Sequence, residues 1–162
     1  MKKYFYFITF LLLLTSCTED VKFNNPAFQT LKDNIFWRGN NYHAEVSTNG
    51  VFIIEGSLGY EKISFQLQEP TEKTYVLGID NNSKAIYKNT LSGQEAEFTT
   101  GQGKGSGQIV ITEYNTVERT ISGTFKFNAI NVDVSAEKQK INFTEGVFYK
   151  IPLGPGSNFN AE

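Results

Sequence analysis

The chain has 162 residues, with 15 Lys and Arg against 17 Asp and Glu, one His and one Cys, and a formal net charge of −2. That mildly acidic balance excludes a broad basic surface of the kind that grips nucleic acid through its phosphates. A single cysteine excludes any disulfide within the chain, so a hydrophobic core alone must stabilise the fold.

Met1-Lys2-Lys3 is a short basic start, and Tyr4 to Leu14 (YFYFITFLLLL) is an uncharged apolar run. The small residues Thr15 and Ser16 follow it. This is the layout of a secretory signal peptide, and the run is too short to span a bilayer comfortably. Leu14-Thr15-Ser16-Cys17 resembles a bacterial lipobox. The resemblance implies cleavage before Cys17, acylation of that residue, and a membrane partner reached through the lipid. Lipidation also accounts for the only cysteine better than redox chemistry, metal binding or nucleophilic catalysis. Thr18-Glu19-Asp20 resembles the acidic export signal of surface lipoproteins in Bacteroidetes, and equally suits an ordinary solvated tether. The expected location is the cell envelope, at the outer membrane, with the membrane face left open.

Loss of residues 1–16 leaves 146 of the 162 residues and removes Lys2 and Lys3, giving 13 basic against 17 acidic residues, a net charge of about −4. One domain of this size buries roughly 70% of its unfolded surface. The expected organisation is a signal peptide at 1–16 and the lipidated cysteine with its tether at 17–25. A single all-β domain follows at 26–151, then a flexible tail at 152–162 rich in Pro and Gly.

Within the domain, Pro26 to Asn34 (PAFQTLKDN) is the only stretch that suits a helical turn or two. Everything after it reads as short strands. Tyr42 to Ser47 and Val51 to Ser57 flank Thr48-Asn49-Gly50, where Asn-Gly predicts a type I′ hairpin turn. Ile63 to Gln68 alternates apolar and polar residues, and Thr74 to Ile79, Ala85 to Lys88 and Glu95 to Thr99 continue the series. Gly107 to Thr112 precedes Thr120 to Ala129, whose odd-numbered face is Ile121, Gly123, Phe125, Phe127 and Ala129. Gln139 to Phe143 and Gly146 to Ile151 close the domain. Turn residues recur about every 8–12 positions, the spacing of an antiparallel β-sandwich or β-barrel-like domain of about 8–10 strands.

Chemistry-bearing constellations are scarce. His43 is the only histidine, and a lone strand histidine is usually a surface or satisfied residue. With no mature free thiol beside it, neither a metal site nor a cofactor is expected. Gly101-Gln102-Gly103-Lys104-Gly105-Ser106-Gly107 lacks the G-K-[ST] and following helix of a phosphate-binding loop, so it reads as a loop between strands. Asp80-Asn81-Asn82-Ser83 reads as a turn, because Lys84 stands where a calcium loop needs oxygen. Glu45, Glu55, Glu61, Glu95, Glu97 and Glu113 alternate with apolar neighbours as solvated strand faces do. Phe36-Trp37, Tyr60, Tyr75 and Tyr87 invite a sugar-stacking reading, but aromatics more often fill sheet cores. Gly123 suits a bulge or the close approach of a neighbouring ring.

The lipobox, Phe36-Trp37, Gly107 to Thr112, Thr120 to Ala129 and Thr144-Glu145-Gly146-Val147-Phe148 together resemble an uncharacterised family of small Bacteroidetes lipoproteins, a domain of unknown function. The resemblance covers most of the mature chain and implies fold and address, with no activity or catalytic residue to carry over. The expected function is a non-enzymatic, lipid-anchored binding module for an unidentified ligand or envelope protein. The alternatives are a structural or assembly partner of the envelope, and a carboxylate-based hydrolase, which would need two acids facing one cleft.

Overall fold

Alternation of apolar and polar residues carries through to an all-β fold: the computed structural model describes residues 26–154, which form eleven strands. These are β1 (Ala27–Lys32), β2 (Ile35–Arg38), β3 (Asn41–Val46), β4 (Phe52–Leu58), β5 (Glu61–Leu67) and β6 (Thr74–Leu77). Then come β7 (Lys84–Asn89), β8 (Ala96–Thr99), β9 (Ser106–Asn115), β10 (Thr120–Asn131) and β11 (Lys140–Pro152). All strand pairings are antiparallel, in the order β2-β1-β11-β10-β8-β7-β5-β4-β3, with β9 beside β10 and β6 outside β9. The sheet curls into a half-barrel. A single bridge, Ala44 to Leu153, brings edge strand β3 back against the end of β11.

The longest strands share the middle of this sheet. β10 pairs with β11 along one edge, while its other edge is divided between β9 (Thr120 to Asn128) and β8 (Ile130 and Asn131). The two predicted strands at 139–143 and 146–151 are one strand, β11. It is continuous across an extra residue, since Phe125 faces Gly146 while Phe127 faces Phe143. Glu145 takes the left-handed conformation (φ 53°) at this bulge.

Two local expectations are corrected. Residues 26–34 form no helical turn: β1 and β2 make a hairpin, and β1 also pairs with β11. Asp33 and Asn34 both have positive φ (48° and 68°), the requirement of a two-residue type I′ turn. Phe28 and Thr30 are thereby carried to the buried face. At Thr48-Asn49-Gly50 only Gly50 has positive φ (76°), and Ser47 N donates to Val51 O at 2.8 Å. That is a three-residue loop ending in a left-handed glycine, which closes the hairpin without the type I′ geometry.

The interior is aromatic. Phe65 of β5 lies 5.7 Å from Phe28 of β1 and 4.8 Å from Phe125 of β10, measured between ring centroids. Phe127 stacks on Phe143 at 4.6 Å, and Tyr87 joins them 5.5 Å from Phe143. Rings this close gain about 0.5–1.5 kcal/mol per pair beyond their area burial. Glycines make room for them. Gly123 lies directly under Phe148 and Gly146 under Phe125, while a Cβ on Gly56 would fall 2.5 Å from the Phe28 ring. The ring expected to approach Gly123 is therefore that of Phe148, from the adjacent strand.

Just past 151, the expected domain end, the described chain is still hydrogen-bonded to its neighbours. Leu153 N donates to Arg119 O at 2.9 Å, and Gly154 N to Ala44 O at 2.8 Å. The signal peptide, Cys17 with its tether, and residues 155–162 of the expected tail lie outside the described residues.

Gly123→Ala is expected to destabilise the fold by about 1–3 kcal/mol through overpacking, because the added Cβ would meet both the Val110 carbonyl oxygen of β9 and the Phe148 ring. Urea denaturation of the single variant and of Gly123→Ala with Phe148→Leu checks this. The double variant should recover only the share of the loss owed to Phe148, because the contact with the Val110 carbonyl oxygen remains.

Candidate functional site

Period-two alternation runs each inner row of side chains from one end of the half-barrel to the other. The rows change character at one end. Phe28 and Thr30 lead to Lys32 on β1, Phe65 and Ile63 lead back to Glu61 on β5, Ala85 and Tyr87 lead to Asn89 on β7, and Ala129 leads to Asn131 on β10. At the other end the corresponding inner residues Phe52, Leu67 and Ile121 are apolar and buried. The interior is thus a dry aromatic core with a polar mouth.

Glu61 organises that mouth. Its Oε2 accepts from Trp37 Nε1 at 2.7 Å, and its Oε1 accepts from Tyr87 Oη at 2.6 Å and from Lys32 Nζ. Lys32 also lies 5.4 Å from the centre of the Tyr87 ring. Trp37 and Lys32 belong to β2 and β1, whereas Glu61 and Tyr87 belong to β5 and β7. In the sheet, β11, β10 and β8 separate these two pairs of strands. The hydrogen bonds therefore cross the interior, two layers above the Phe28–Phe65 contact that makes the same crossing.

The electrostatics follow from this geometry. Burial opposes the charge on Glu61, but the hydrogen bonds from Lys32 and Tyr87, the Lys32 charge and the Trp37 hydrogen bond outweigh it. The carboxyl is held below its ordinary value and is ionised at neutral pH. Burial, then donation to Glu61, pushes the Tyr87 phenol well above its usual range. A carboxylate with both oxygens engaged is a strut and an anion, poorly placed to abstract a proton.

Beyond the strut lies an open groove of about 370 Å³, lined in part by Lys32, Glu61, Asn89, Gln94, Glu95 and Lys138. It adjoins a second hollow of about 410 Å³ that shares Asn89, Glu95 and Asn131 and adds Lys88, Glu97 and Asp133. The walls are loops fixed by side-chain and backbone hydrogen bonds. Asp33 binds Lys138 at 2.6 Å and accepts from Asn142 N at 2.9 Å, joining the β1–β2 turn to the β10–β11 connection. Thr90 N donates to Tyr60 O at 3.0 Å, joining the β7–β8 loop to the β4–β5 turn.

The structure separates the residues singled out in the sequence. Trp37, Tyr75 and Tyr87 are buried, while Phe36 and Tyr60 remain exposed. Glu61 does not lie on a solvated face: it points inward with Ile63 and Phe65. Glu55 is on the outer surface with Lys62 at 3.1 Å and His43 at 3.7 Å, so the single histidine stands apart from the mouth. Glu97 pairs with Lys88 at 3.4 Å, and Glu113 accepts from Ser122 Oγ at 3.4 Å. Asp80 closes its own turn by accepting from Asn82 N at 2.8 Å. Gly101 and Lys104 exchange backbone hydrogen bonds, both 2.9 Å, and Gly105 and Gly107 press against the backbone of β10. That run is a packed turn. Among the described residues no three His, Cys, Asp or Glu side chains gather as a metal site would require. Lys32, Asn89, Gln94 and Asn131 were not singled out in the sequence.

A family profile described as a domain of unknown function (DUF6252) matches residues 24–152, and one for a prokaryotic membrane lipoprotein lipid attachment site matches residues 1–18, which include Cys17. No curated protein and no solved structure matches the chain.

Glu61→Gln replaces an acceptor-only group by one whose NH₂ opposes donors, and should cost about 2 kcal/mol at neutral pH. The wild-type contribution has a defined sign. A carboxyl whose folded pKa is depressed stabilises the fold above its unfolded value, about 4.3, and loses that contribution as pH falls through the folded value. Urea melts at pH 7 and at pH 3 should therefore differ less for Glu61→Gln than for the wild type.

Proposed function

From a chain that belongs to the DUF6252 family and carries a lipoprotein lipid attachment site, we propose a non-enzymatic binding module of the cell envelope, anchored to the outer membrane through lipid on Cys17. It takes its ligand in the groove at the polar mouth of the half-barrel. The observation that carries this reading is the change along the inner rows, apolar through the barrel and polar around the groove. A wall that only sealed the core would continue the apolar rows. A groove of about 370 Å³ falls in the range of small-ligand sites, about 300–1,000 Å³.

Binding is favoured over hydrolysis by the state of Glu61, ionised with both oxygens engaged. The chain direction suits recognition away from the membrane. β1 enters beside Tyr149 and runs toward the mouth, where Lys32 faces Phe143. Ala27, at the start of β1, thus lies on the side away from the groove. The nine peptide links from Cys17 to Pro26 reach at most about 30 Å.

Titration of the lipidated chain in nanodiscs with neutral disaccharides, nucleosides and dipeptides tests the reading, with the emission of the single Trp37 as readout. At least one class should give a saturable change that Ala96→Phe, which fills the groove, removes. No saturable change with any class, or one that survives Ala96→Phe, contradicts it.

A further inference from the structure

We infer that the groove takes a neutral saccharide; the inference rests on the binding reading above. Three features of the lining select this chemistry. First, the cations are already matched: Lys32 by Glu61, Lys138 by Asp33 at 2.6 Å, and Lys88 by Glu97 at 3.4 Å. Glu95 and Asp133 have no cationic partner among the described residues, so the rim is left acidic. Such a rim repels phosphates and carboxylates, and desolvating its paired lysines for them would break existing ion pairs.

Second, the unengaged polar atoms are those that hydroxyl groups fit. Asn89 uses Oδ1 on Leu91 N at 3.0 Å, and its Nδ2 has no partner among the described residues and can donate. Glu95 uses Oε2 on Gly93 N at 2.8 Å, and its Oε1 has no partner among the described residues and can accept. The Gln94 amide has no partner among the described residues and can give and accept. A hydroxyl both donates and accepts, so adjacent hydroxyls on a ring satisfy such a set without carrying charge.

Third, the loops around the mouth present apolar surface. Tyr60 is 62% exposed on the β4–β5 turn, and Val132 is 56% exposed on the β10–β11 connection and lines the second hollow. Ile35, on the inner side of β2 with Trp37 and opposite Lys32, is 69% exposed. A sugar ring has hydroxyl edges and an apolar C–H face, and a polar, acidic lining with exposed apolar side chains beside it suits both. Phe36, also exposed, alternates with Trp37 to the outer side of β2 and takes no part.

Isothermal titration of the lipidated chain in nanodiscs distinguishes the outcomes, with cellobiose, maltose and N,N′-diacetylchitobiose as saccharide probes. Glucose 6-phosphate and trialanine represent anionic and peptide ligands. At least one of the three disaccharides should bind with a dissociation constant on the order of 1 mM or tighter. Gln94→Ala and Glu95→Ala should each weaken it about tenfold, and Phe36→Ala should leave it unchanged. Gln94→Ala serves alone if Glu95→Ala, which loses the bond to Gly93, lowers the melting temperature. Tighter binding of glucose 6-phosphate or trialanine, sensitive to Gln94→Ala, overturns the saccharide assignment and leaves the binding reading standing. Saccharide binding insensitive to both substitutions puts the sugar elsewhere and overturns the assignment. Silence from all five probes overturns the saccharide assignment, and the binding reading falls with it if nucleosides are silent as well.

Discussion

The mouth of the half-barrel depends on one carboxylate. Glu61 sits where the inner face of β5 leaves the aromatic core, and it accepts hydrogen bonds from Trp37, Tyr87 and Lys32. Strands β1 and β2 lie at one edge of the sheet, well separated in order from β5 and β7. Backbone pairing cannot join them directly. The aromatic contact between Phe28 and Phe65 and the polar bonds of Glu61 do so in two separate layers, with Thr30 and Ile63 between them. The lower layer supplies the burial that stabilises a disulfide-free domain. The upper layer fixes the width of the mouth, because charge-assisted bonds of 2.6–2.7 Å tolerate little displacement.

The same division explains the glycines. Large rings crowd the curled inner face, and Gly56, Gly123 and Gly146 lie beneath Phe28, Phe148 and Phe125. Glycine weakens a strand through its backbone freedom, but here an aromatic ring covers the bare backbone and offsets the loss. The rings fill the barrel up to Tyr87, and above it the lining turns to Lys32, Asn89, Gln94 and Asn131. Packing below and polar lining above are thus two ends of the same alternating rows. A binding surface on loops held by a rigid sheet is a common arrangement, since the scaffold fixes the groups without having to move.

Much of this was legible in the sequence. The face Ile121, Gly123, Phe125, Phe127, Ala129 is the inner face of β10, and the ring predicted to approach Gly123 is present. The all-β class followed from the same period. The β1–β2 hairpin was not legible as a strand pair, because Pro26 to Asn34 has little local alternation. Its pairing with β11, more than a hundred residues away, decides the conformation. The signal for Glu61 was present but short. Ile63, Phe65 and Leu67 define the inward parity, and two positions back that parity falls on Glu61. A charged residue at the end of a strand normally reads as solvated, and only the arrival of Trp37 and Tyr87 from distant strands makes it a hub. The groove residues Asn89 and Gln94 carry no motif at all. Their juxtaposition with Lys32 and Asn131 is a product of curling, which a sequence does not display.

The most direct test of this picture is the indole N–H resonance of the single tryptophan, Trp37, followed by proton–nitrogen correlation spectroscopy with hydrogen exchange. Donation to an ionised Glu61 at 2.7 Å should give one downfield, slowly exchanging indole signal, and Glu61→Gln should move it upfield and speed its exchange. An indole signal at the position of a solvated tryptophan, exchanging rapidly and unaffected by Glu61→Gln, would contradict the strut and the ordered mouth built on it.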